Sequence, residues 1–204
     1  WSNGYSFLGF VFCFALAIFA GMRNKDWKLD IAALGPWLVA FGGAVILAWP
    51  LSAYPDLSYR FLKYYGACML CVIVIVSTVE RREHLMRLAG MSSLALIVMS
   101  GYGFYQRLSG IEVNPSYVDV TLDLNKNMPG RVFSFFENPN AFGEVLLLLI
   151  PVAVALMLGS RGWGGRFLGF FSAAVGCVAL IMTYSRAGWI GLFFAVALFV
   201  LLWN

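Results

Sequence analysis

Charge is what this sequence has least of. Only 12% of its 204 residues are Asp, Glu, Lys or Arg, against 61% hydrophobic, and mean hydropathy is +0.82. A soluble domain carries about twice that charged fraction, so that class is excluded. Histidine occurs once, at His84, and no His, Cys or carboxylate cluster stands at ligand spacing, which leaves no metal or cofactor site to read. The four cysteines, Cys13, Cys68, Cys71 and Cys177, all fall inside apolar runs. Cys68 and Cys71 form a C-x-x-C far from any Gly-rich redox loop, so they read as small core hydrophobes. The net charge of +4 calls for no nucleic acid, because membrane proteins collect basic residues in their cytoplasmic loops. Also missing is the apolar–polar alternation of a transmembrane barrel.

What is present is a series of uncharged apolar runs, several reaching the ~20 residues needed to cross a hydrocarbon core. The fold class expected is all-α: a polytopic transmembrane helix bundle of about seven spans, forming one domain over residues 1–204. The spans fall at about Tyr5–Met22, Ile31–Trp49, Phe61–Val79, Leu88–Gln106, Ala141–Leu158 and Phe167–Tyr184, and after the interruption Ser185-Arg186-Ala187-Gly188 a seventh run continues to Trp203. Pro50 to Tyr59 reads as an irregular loop, and Glu80 to Arg87 as a charged turn in which His84 is solvated. Pro151 should kink the fifth span. Phe167 to Trp203 is too long for one crossing, so the chain must reverse near Ser185-Arg186. No signal-peptide pattern opens the chain, and both ends look cut. The expectation is therefore part of a longer membrane protein.

One long polar segment interrupts this pattern, from about Arg107 to Asn138, and ends in Arg131-Val-Phe-Ser-Phe-Phe-Glu-Asn138-Pro139-Asn140. Asn138 is a good N-cap and Pro139 suits the first helical position, where its missing N–H costs nothing. A helix should start there, with its positive dipole end and Arg131 facing the same loop. Alternating loops divide the 14 Lys and Arg residues eight to six. The side with eight, including Arg81, Arg82, Arg87, Arg161 and Arg166, is placed in the cytoplasm. The long loop, Arg131 and Arg186 then share the outer surface. Arginines at helix ends are expensive unless paired or functional. Glu137 and Glu144 could pair with them structurally. Equally, two guanidinium forks converging on one pocket would suit a diphosphate.

The residues Arg131-Val-Phe-Ser, Phe136-Glu-Asn-Pro-Asn-Ala-Phe and Thr183-Tyr-Ser-Arg-Ala-Gly resemble the O-antigen ligase and polymerase superfamily. Asn114-Pro-Ser-Tyr-Val-Asp119 is similar to the segment leading into that motif, so the resemblance covers about Asn114 to Trp203. It implies a bacterial inner-membrane glycosyltransferase, independent of metal and cofactor. Such an enzyme moves a glycan from undecaprenyl diphosphate to a lipid, glycan or protein acceptor on the outer face. By the same resemblance Arg131 and Arg186 hold the donor diphosphate, with Asn138, Asn140, Ser185, Glu144 and Asp119 in support. The family's outer-loop histidine, the base that activates the acceptor, has no counterpart here, since His84 lies in a turn assigned to the cytoplasm. No catalytic residue is therefore assigned. An anion or lipid-linked glycan transporter and a non-catalytic scaffold are the alternatives. Against transport, no charged residue stands at the middle of a span.

Overall fold

The computed structural model describes residues 35–79, 81–111, 130–136 and 138–202, and every described regular element is an α-helix. The helices are α1 Gly35–Ala48, α2 Pro55–Thr78, α3 Arg82–Leu108, α4 Pro139–Gly159, α5 Trp163–Met182 and α6 Arg186–Leu202. Among the described residues, four are long and apolar enough to cross a membrane: α2 from Phe61, α3, α4 and α5. The helices α1 and α6 are shorter and also apolar. The chain is thus a helical protein with the elements of a membrane protein. The expected first span, Tyr5–Met22, and Asp119 lie outside the described residues.

The chain divides into two compact units, Trp1–His84 and Leu85–Asn204. In the first, α1 and α2 form an antiparallel pair. Phe41 meets Tyr65 edge-on at 5.7 Å, and Trp49 packs on Tyr59 at 5.4 Å. Gly42, of the Gly42-Gly43 pair, faces Met69; a Cβ there would sit 3.0 Å from its Cε, whereas Gly43 faces open space. The loop expected over Pro50–Tyr59 is shorter than that. Pro55 takes the first helical turn and Asp56 follows it there, so α2 begins ahead of its apolar stretch.

The charged turn expected over Glu80–Arg87 is likewise mostly helix, because α3 starts at Arg82 with Glu83 in its first turn. His84 is consequently not a solvated turn residue. It is half-buried, and its Nδ1 lies 2.8 Å from the Thr78 carbonyl at the end of α2. Helix ends leave carbonyls without intrahelical donors, and the imidazole satisfies one of them.

In the second unit the contacts fix the direction of each helix. Added Cβ atoms on Gly169 and Gly176 of α5 would strike Ala153 and Met157, then Ile150, of α4. Residue numbers rise along one helix as they fall along the other, so α4 and α5 are antiparallel. Gly143 packs on Ser185 and Leu147 on Gly191, so α6 runs parallel to α4. Gly103 faces Phe142, and Leu96 joins Ile150 at Gly176, so α3 runs opposite to α4. The core of this unit is Leu96, Phe142, Leu146, Ile150, Ala153, Ala179 and Leu180, with Val132 from the loop and Cys177 packed against it. Within α4 the helix continues through Pro151, which removes the donor for the Leu147 carbonyl without ending the helix.

The expected reversal near Ser185-Arg186 is present. After Met182 the chain passes through Thr183 and Tyr184, the latter at φ 53°. A Cβ on Gly188 would lie 2.9 Å from Leu180 Cδ1, although a continuous helix holds residues eight apart about 12 Å from each other.

Candidate functional site

Helices α4 and α6, being parallel, begin at the same end of the second unit, and each is capped by its own sequence. Asn138 accepts a hydrogen bond from the Asn140 N–H at 2.9 Å, with Pro139 in the first turn. Ser185 Oγ accepts from the Gly188 N–H at 3.3 Å. At both starts the helix dipole favours negative charge.

Arg131 lies across the space between these two starts. Its Nε donates to the Thr183 carbonyl at 2.8 Å, and its Nη2 donates to Asn140 Oδ1 at 2.7 Å. The adjoining backbone is tied to the same place, because the Val132 N–H donates to the Met182 carbonyl at 3.1 Å. Two expected site residues, Arg131 and Asn140, therefore meet directly, and Ser185 follows Thr183 by two positions. Arg186 is the first residue of α6, three positions after the carbonyl that Arg131 grips. Its side chain is exposed and makes no hydrogen bond or ion pair with a described residue. Partial burial lowers the pKa of the Arg131 guanidinium by desolvation. Arginine starts so far above neutrality that it stays charged, and a desolvated cation is stabilised by any anion that reaches it.

Glu144 does not join this arrangement. It is exposed on the second turn of α4 and forms no ion pair among the described residues, so the expected structural pairing with either arginine is not made through it. Glu137, like Asp119, lies outside the described residues.

Four residues of the site were not singled out from the sequence as site residues. Thr183 is buried; its carbonyl takes the Arg131 bond, while its hydroxyl donates to the Leu180 carbonyl at 2.7 Å and accepts from the Ser185 N–H at 3.2 Å. Gln106 is buried and uses both ends of its amide on the loop before α4. Its Oε1 accepts from the Ser134 N–H at 2.8 Å and the Phe133 N–H at 3.3 Å, and its Nε2 donates to the Ser134 carbonyl at 2.8 Å. Ser134, held at φ 51°, donates through Oγ to the Met99 carbonyl at 2.8 Å. Arg107 Nη1 donates to the Gly130 carbonyl at 2.8 Å. A cleft of about 110 Å³ lies between Gln106, Arg107, Gly110, Ile111, Gly130 and Arg131. The available signal was weak: Gln106 and Arg107 are the polar pair that ends an apolar span, and Thr183 stands inside a motif quoted for its arginine.

The arrangement can hold an anion. It offers Arg131 and Arg186 beside two helix N-termini, with Arg107 lining the adjoining cleft. Comparison with family models, curated proteins and solved structures finds no match for this chain.

Proposed function

We propose that this chain is the donor-binding part of an integral-membrane glycosyltransferase of the bacterial inner membrane. It would transfer a glycan from undecaprenyl diphosphate to a lipid, glycan or protein acceptor on the outer face. The reading takes about seven spans, with the segment 107–138 as an outer loop. The observation that supports it is the tie from Arg131 to the Thr183 carbonyl and to Asn140, which joins the two motifs carrying the resemblance at the shared start of α4 and α6.

In this reading the diphosphate rests against Arg131 and Arg186, and the helix N-termini add partial positive charge. As the glycosidic bond to the diphosphate breaks, negative charge gathers on the leaving oxygen, and fixed guanidinium groups stabilise that charge more than they stabilise the ground state. Asn140 and Thr183 orient Arg131, so part of the rotamer entropy is lost before the donor arrives. The one histidine, His84, lies in this reading on the cytoplasmic side, so no residue is assigned as the acceptor-activating base that the resemblance implies.

The test uses the full-length protein in membranes. Arg131→Ala and Arg186→Ala should each lower glycan transfer by about a hundredfold or more, as for loss of one charge-stabilising donor. Insertion should be retained in both variants and thermal stability in Arg186→Ala, whereas Arg131→Ala also orphans the buried Thr183 carbonyl and should lower stability by about 1–3 kcal/mol. Transfer unchanged in both variants would overturn the reading.

A further inference from the structure

At the end of the second unit opposite Arg131, the turn between α4 and α5 forms a second basic cleft, of about 500 Å³, lined by Arg161, Trp163 and Arg166. Among the described residues no acidic side chain lines it. Arg166 Nε donates to the Ser160 carbonyl at 3.0 Å, which pins that guanidinium to the turn. Arg161 is exposed and makes no hydrogen bond or ion pair with a described residue. The turn is tight, since a Cβ on Gly165 would strike Ser160 Oγ, and both arginines line the one cleft. Trp163, 73% exposed, meets Phe167 edge-on at 5.8 Å, and Phe167 stacks on Phe171 at 6.0 Å. Trp163, Phe167 and Phe171 form an outward-facing aromatic ladder that descends from the cleft along a helix apolar enough to cross a membrane.

We propose that this cleft binds the phosphate headgroup of an anionic phospholipid, with the acyl chains lying along Trp163, Phe167 and Phe171. Guanidinium groups pair with phosphate oxygens in a fork, and basic pockets at helix ends hold anionic lipid headgroups. Indole belongs at the level of the headgroups. The ladder is what selects a lipid over a free phosphate ion, because an inorganic anion has no use for three exposed rings. The site stands apart from the glycan-transfer reading and does not depend on it.

Native mass spectrometry of the purified full-length protein provides the test, with phosphatidylglycerol, phosphatidylcholine and inorganic phosphate as separate probes. Phosphatidylglycerol should be retained well above phosphatidylcholine, and millimolar phosphate should not displace it. Arg161→Gln with Arg166→Gln should weaken phosphatidylglycerol retention about thirtyfold, from two lost charges. Trp163→Ala with Phe167→Ala should weaken it while leaving the charge preference intact. Should the double arginine variant fail to fold, Arg161→Gln alone carries the test, since that side chain bonds to nothing described. Retention unchanged without the arginines, or equal for both lipids, overturns the proposal. Displacement by inorganic phosphate overturns the lipid and leaves a small-anion site.

Discussion

Gln106 holds Phe133 and Ser134 as a neighbouring strand would, with two N–H groups and one carbonyl satisfied by a single buried amide. Ser134 sits at φ 51°, a conformation that costs a non-glycine residue about 1–2 kcal/mol and persists only where its surroundings enforce it. Gln106→Leu keeps the volume roughly constant but orphans those groups, at about 1–3 kcal/mol for each one left buried. The variant should therefore unfold at a lower temperature in detergent micelles, and the segment carrying Arg131 should become protease-sensitive. An unchanged melting temperature would show that the amide is dispensable. The contrast with Asn138 explains what can be read at this scale. An N-cap bonds to a group two positions away, so the local sequence suffices to identify it. Gln106 and Ser134 are 28 positions apart, and no local pattern announces their pairing.

Among the helices, boundaries and contacts depart from the hydropathy pattern for a consistent reason. Hydropathy marks where a helix meets lipid, whereas caps and turn residues mark where it begins. Pro55 and Arg82 start α2 and α3 several residues ahead of their apolar stretches, and the polar first turns serve the helix ends. The α4–α5 pair then depends on Gly169, where a Cβ would fall 2.5 Å from the Met157 nitrogen and 2.6 Å from the Ala153 carbonyl oxygen. Those are backbone atoms and cannot swing aside. Gly169→Ala should separate the two helices and lower stability by about 1–3 kcal/mol, the usual range for overpacking, or more. Gly164→Ala, with open space around it, supplies the control. Equal melting temperatures for the two variants would refute close packing at Gly169. The glycines were visible in the sequence, but Gly164 and Gly169 look alike there, and only the neighbouring helix distinguishes them.

Taken as a whole, the second unit has two basic ends. Arg107, Arg131 and Arg186 share one, and Arg87, Arg161 and Arg166 share the other, because α3, α4, α5 and α6 alternate in direction in the order that their contacts require. In a membrane the two ends should face opposite compartments. Single cysteines at Ser109 and Gly162, in a background without the four native cysteines, should react with a membrane-impermeant maleimide from opposite sides. Labelling of both from one side would rule out a spanning arrangement of α3 and α4. Composition and run length were enough to establish the helical, membrane-type character of the chain, because burying backbone in hydrocarbon leaves few choices beyond a helix of about 20 apolar residues. Run length likewise required the reversal near Ser185-Arg186, and local chemistry identified the helix start at Asn138-Pro139. Only the tertiary structure decided what Arg131 grips, that Glu144 stays apart, that His84 serves the end of α2, and which glycines touch backbone. Each of these rests on contacts between residues brought together by helix packing, and helix packing is set by side-chain shape across the bundle rather than by any pattern along the chain.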